Sequence, residues 1–151
     1  MLSNNLRTAT SSKKSRFLAV THSGTPYVSV YAWSSGFGTK FSNPSPAIPS
    51  NAFGVAFNAA STAIAVAHAS NPLVTAYSWS DSGFGAKYTN PTTLPTGQAN
   101  DVAFSPTNNA IAVAHTTTSF VSAYPWSNVS GFGVKYTNPA TLPTGSANSV
   151  T

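Results

Sequence analysis

The chain has 151 residues, enough for one domain with a real core, yet only 6% are charged and Asp81 and Asp101 are its only acids. The net charge of +5 comes from sparse cations, four of them (Arg7, Lys13, Lys14, Arg16) in the first sixteen residues, so no basic face forms and no nucleic-acid partner is expected. With no cysteine, no apolar signal core and no apolar run near the ~20 residues that span a bilayer, disulfide staples, thiolate metal sites, a secretory signal and membrane insertion are not expected.

Residues 1–16 (MLSNNLRTATSSKKSR) form a polar, basic arm. Such composition buries too little surface to offset ordering entropy, so it reads as disordered, or else as an anchor that orders on a partner. Strands follow from Phe17 on. Residues 17–52 hold FLAVTH (after Arg16), TPYVSVYAW and GFGTKF, which are strands b, c and d of a unit with no strand a of its own. Residues 53–99 form a complete second unit, whose strand a covers 54–58.

Residues 100–145 form the third and clearest unit. NDVAFS (100–105) is strand a, PTNN a turn, AIAVAH (110–115) strand b, and TTTS a loop. FVSAYPW (120–126) is strand c and residues 132–137 are strand d, with Pro125 placed where one ladder bond can be lost. Residues 146–151 (SANSVT) repeat only the start of a unit, Asn148, Ser149 and Val150 aligning with Asn100, Asp101 and Val102.

The repeat is regular. His22, His68 and His115 lie 46 and 47 residues apart, as do Trp33, Trp79 and Trp126, and Lys40, Lys87 and Lys135 follow at 47 and 48. A period of this length with several strands in it is the signature of β-propeller blades. Ile111 and Val113 alternate with Ala112 and Ala114, as Ile64 and Val66 do with Ala65 and Ala67. A bulky face opposite a small one suits sheets that pack radially, each on its neighbour.

The expected fold is therefore all-β: three four-stranded propeller blades per chain, one split between the N- and C-terminal segments, and twelve strands in all. Three blades are too few to close a ring, since propellers run from four to eight. Closure is expected through a second copy, with 146–151 of one chain adding to 17–41 of the next, and Phe17, Leu18, Val20, Asn148 and Val150 are the candidate closure residues. Two copies make a six-bladed homodimer; three would make nine blades, outside the usual range.

VAFSPTNNAIAVAH resembles strands a and b of the WD-repeat class of propellers, and the likeness covers roughly residues 17–151. The chain departs from that class in ending strand c with YAW, YSW and YPW followed by Ser, and in lacking the Gly-His pair before strand a, so the family's structural tetrad is not carried over. The tandem GFGxK(Y/F) and NP…LPTG elements are similar to repeats of bacteriophage and environmental bacterial propellers. That resemblance implies a virion location, or an extracellular one.

Catalysis is not expected. Asp81 and Asp101 are not an equivalent carboxylate pair, no GxSxG is present, and GFG is too short for a phosphate loop. No cofactor or metal is expected either, because His22, His68 and His115 would be spread around a ring. Each of these histidines reads as bonding a loop carbonyl of its own or the next blade, or as one of a ring of titratable ligand contacts. Trp33, Trp79 and Trp126 read as inter-blade packing or as a sugar-stacking platform. Lys40, Lys87 and Lys135 read as guards of an outer strand edge or as contacts to anionic glycans or virion proteins. The loops NPSPAIPSN, NPTTLPTGQ and NPATLPTGS add amides and hydroxyls on the histidine side. The leading expectation is a non-catalytic virion structural or binding module that meets a host glycan or neighbouring virion proteins. The alternative is a secreted or cell-surface lectin-like module with one sugar site per blade. An intracellular scaffold is disfavoured by the scarcity of charge.

Overall fold

A computed structural model describes residues 16–151; the arm expected over 1–16 lies almost wholly outside the described residues. The described chain is all-β, with three antiparallel sheets and no helix among the described residues. The first sheet is β1 (Arg16–Thr21), β2 (Val28–Trp33) and β3 (Phe37–Lys40). The second is β4 (Ala52–Phe57), β5 (Ala63–His68), β6 (Val74–Ser80) and β7 (Gly83–Lys87). The third is β8 (Ala99–Phe104), β9 (Ala110–His115), β10 (Val121–Ser127) and β11 (Gly131–Phe132). Each sheet is an up-and-down meander in chain order.

The registers repeat from sheet to sheet. Val55 faces Val66 and Phe57 faces Ile64 in the second sheet, while Val102 faces Val113 and Phe104 faces Ile111 in the third. Both first pairs carry an irregularity at the same place, between Ala52 and Gly54 and between Ala99 and Asp101. Gly54 is needed there: an added Cβ would lie 2.5 Å from the Asp101 Cα, so β4 and β8 approach too closely for a side chain.

Two strand expectations need correction. β10 starts at Val121 because Phe120 takes a left-handed backbone (φ 66°) and belongs to the turn, its N–H bonded to the Thr117 carbonyl at 2.7 Å. The third sheet's outer strand, expected over 132–137, shrinks to the two residues of β11. Pro125 has no N–H to donate, so the chain is tied back only at isolated points, Gly133 N–H to the Pro125 carbonyl and Tyr136 N–H to that of Ala123, both at 2.8 Å. Residues 146–151, expected to add as a strand to a second copy, form no strand within the described chain, which has eleven. They lie instead beside β8: Ser149 Oγ (2.7 Å) and the Val150 N–H (3.0 Å) both donate to Asp101 Oδ2.

Two apolar cores fill the spaces between sheets. Val28, Val30, Ala19 and Phe41 of the first sheet and its following loop meet Ile64, Val66, Tyr77 and Trp79 of the second. Ala63, Ala65, Val74 and Ala76 of the second meet Val102, Ile111, Val113, Tyr124 and Trp126 of the third. At each contact the smaller-residue face of one sheet receives the bulky face of the next, because residues alternate sides along a strand. At roughly 25 cal/mol per Å² of apolar area, these contacts dominate the stability of a chain with so few charges.

Alternation also corrects one closure residue. Phe17 points into the chain, its ring 5.2 Å from that of Trp79 and 5.7 Å from those of Phe41 and Phe57. Leu18 and Val20 take the opposite side, where Val20 is 42% exposed although its counterparts Val66 and Val113 are fully buried.

Candidate functional site

β5 and β9 end in histidine and His22 directly follows β1; each histidine is pegged to a hydroxyl seven residues on. The Nε2–Oγ distances are 3.1 Å for His22–Ser29, 2.9 Å for His68–Thr75 and 3.1 Å for His115–Ser122. His68 and His115 are fully buried, so neither offers a contact to a ligand arriving from solvent. Burial, reinforced by the Lys87 charge, pushes the His68 imidazole down to about 4; burial lowers His115 as well, with Lys135 adding to it. Both rings are neutral at physiological pH and act as structural pegs. His22, on the open first sheet, is partly exposed. The histidines are distributed one per sheet, and among the described residues no group of three metal-ligating side chains is assembled.

The tryptophans fill space between sheets. Trp79 is ringed by Phe17, Phe41, Phe57 and Phe84 at centroid distances of 5.0–5.2 Å, all edge-on. Trp126 is ringed in the same way by Tyr88, Phe104 and Phe132 at 4.9–5.2 Å, and its Nε1–H donates to Asn128 Oδ1 at 2.9 Å. Such edge-to-face pairs add about 0.5–1.5 kcal/mol each beyond area burial. With 4–5% exposure, Trp79 and Trp126 have no face free to stack on a sugar. Trp33 differs: it is only partly buried and meets just Phe37, at 5.1 Å.

The lysines are clipped in place. Lys40 Nζ donates to Asn43 Oδ1 at 2.6 Å, and Lys87 and Lys135 donate likewise to Asn90 and Asn138. Lys40 and Lys87 close β3 and β7, whereas Lys135 lies past β11. The asparagine partners were missed in reading the sequence, although the K-x-x-N spacing in KFSN and KYTN carries them. Asn58 was missed too. It is buried in the β4–β5 turn, where its Oδ1 accepts from the N–H groups of Thr62 and Ala63 and its Nδ2 donates to Asn128 Oδ1 at 3.0 Å.

The loops form a further surface. The sheet-to-sheet connections 42–51 and 89–98, and the matching segment 137–146 after the third sheet, lie against the turns 69–73 and 116–120, tied by Ala69 N–H to the Asn51 carbonyl (3.0 Å), Thr96 Oγ1 to the Thr118 carbonyl (3.0 Å) and Ser146 Oγ to the Thr116 carbonyl (3.0 Å). The phenols of Tyr77 and Tyr124 donate to the carbonyls of Pro46 (2.6 Å) and Thr93 (2.8 Å), anchoring two of these loops from below. The rim exposes Ser70, Asn71, Thr92, Gln98, Thr117 and Thr118, and none of its segments carries a charged residue. Its amides and hydroxyls can hydrogen-bond a neutral polar ligand. No helix in the described residues is long and apolar enough to cross a membrane. The chain matches no protein-family model and no curated protein.

Proposed function

We propose that the three sheets are blades of a propeller and that the chain is a non-catalytic binding module presenting a repeated, uncharged rim. The observation that carries this reading is the rim itself: hydroxyl- and amide-bearing loops, recurring with the sheet period and anchored by Tyr77 and Tyr124 to a rigid scaffold. Neutral donors and acceptors in a repeating array suit the hydroxyls of a host glycan, bound weakly at each repeat and tightened by multivalency. The virion setting, with neighbouring particle proteins as the other class of contact, follows from the resemblance of the repeats. The lectin-like alternative loses its stacking platform at Trp79 and Trp126, both buried. A neutral-glycan array tests the reading. Binding should weaken at least tenfold in a variant carrying Thr92→Ala, Gln98→Ala and Thr117→Ala with an unchanged circular dichroism spectrum. Glycan binding indifferent to those changes, or no glycan binding together with no capture of a particle protein, would overturn it.

A further inference from the structure

The first and third sheets each leave uncovered the face that the second sheet uses. On the third sheet the smaller-residue face is open: Ala112 and Ala123 are partly exposed, whereas their counterparts Ala65 and Ala76 are buried beneath the third sheet. An apolar depression bounded by Ala103, Ile111, Ala112, Ala123 and Thr151 lies there. On the first sheet the bulky face is open: Leu18, Val20, Tyr31 and Trp33 stand where Ile64, Val66, Tyr77 and Trp79 are buried. The two open faces are thus the two halves of a contact the chain already makes twice.

The aromatic pattern has the same gap. Phe41 packs on Trp79 of the next sheet at 5.1 Å, and Tyr88 packs on Trp126 at 4.9 Å. Tyr136 follows Lys135 as Tyr88 follows Lys87, yet it is 48% exposed and meets no tryptophan. Trp33, the one tryptophan without a preceding aromatic, is its complement. The strand pattern completes the fit. Asp101 holds Ser149 and Val150 beside β8, the place of a first strand in a fourth sheet, and among the described residues β1 has an unpaired edge.

From these coincidences we infer that the partner of this module is a second copy of the same chain, joined head to tail at both ends. The inference rests on the propeller reading above and gives it a six-bladed ring. Tyr136 of each copy packs on Trp33 of the other, the Ala112–Ala123 face receives Leu18 and Val20, and residues 147–151 pair with β1. By the register of β4 on β5, in which Val55 faces Val66, Val150 of one copy faces Val20 of the other. The contact recurs twice about a two-fold axis, which closes the ring and stops growth at two chains.

The test is a cross-link. Directly opposed residues of an antiparallel pair have Cα atoms about 4.5–5.5 Å apart, within disulfide reach. The chain has no native cysteine. The double variant Val20→Cys, Val150→Cys should therefore give, on oxidation, a covalent species of twice the chain mass, while either single variant should not. Light scattering should give twice the chain mass for the wild type. Tyr136→Ala, on a half-exposed residue, should raise the dissociation constant at least tenfold without altering the far-ultraviolet circular dichroism. Ala123→Arg and Val20→Asp should each be monomeric alone and regain the two-chain mass when mixed, since one sound contact is restored. A wild-type monomer, a three-chain mass, or a dimer that survives Ala123→Arg and gives no double-variant cross-link would overturn the inference. A covalent tandem of two copies separates this from failure of the propeller reading. A tandem that images as a six-lobed ring while the single chain stays monomeric removes only the second copy; a tandem without such a ring removes the propeller as well.

Discussion

The carboxylate of Asp101 accepts a hydrogen bond from the Val150 N–H at 3.0 Å, across 49 residues of sequence. It is the main polar tie holding residues 149–151 beside β8, joined by Ser149 Oγ on the same oxygen at 2.7 Å. Asp101→Ala should release this segment while leaving β8 intact. Amide hydrogen exchange at Val150 and Thr151 should rise at least tenfold, matching the loss of a charge-assisted bond worth about 1.5–3 kcal/mol. Unchanged protection would show that the segment is held by something other than this carboxylate.

Gly54 occupies the tightest approach between two sheets. A Cβ there meets the Asp101 Cα and its Oδ1, both at 2.5 Å, and backbone cannot rotate away as a flexible side chain would. Gly54→Ala should destabilise the fold by about 1–3 kcal/mol, as overpacking does, in urea denaturation. Removing the Asp101 side chain as well should recover only part of the loss, because the clash with the Asp101 backbone remains.

Stability should fall in mild acid. The folded-state value of His68 lies at about 4, below its ordinary 6.5. Above pH 6.5 neither the folded nor the unfolded chain carries this proton. As pH falls from 6.5 towards 4 the unfolded chain binds a proton that the buried ring refuses, so unfolding is favoured by up to about 3 kcal/mol, at ~1.4 kcal/mol per unit. His115, displaced in the same direction, steepens the loss. His68→Gln should flatten the dependence of unfolding free energy on pH between 6.5 and 4; an unaltered slope would place the titrating group elsewhere.

Trp79 and Lys87 should separate cleanly in energy. Trp79→Ala empties a site walled by four aromatic rings and should cost about 3–5 kcal/mol. Lys87→Ala removes a solvent-side clip to Asn90 and should cost less than about 1 kcal/mol. Denaturant titration of both variants checks the ranking. A larger loss at Lys87 would mean that the clip, rather than the aromatic cluster, holds the second sheet to its neighbour.

Local pattern was enough for much of this protein. The alternation of Ile64 and Val66 with Ala65 and Ala67 marked β5, and AIAVAH marked β9 to the residue, since strand periodicity is a property of adjacent positions. Pro125 announced a lost ladder bond, though not that β11 would shorten to two residues, because a ladder depends on donors from both strands. What required the tertiary structure was which side of each strand is covered. Phe17 and Leu18 are neighbours in sequence and both apolar, yet one packs on Trp79 and the other faces outward. Likewise His68, Trp79 and Trp126 carry the residue types of a binding site and are sealed in the interior, and Tyr136 and Trp33 stand open although their repeats do not. Repeats make the faces alike; burial depends on whether another sheet lies against them, and that is a relation between segments distant in the chain.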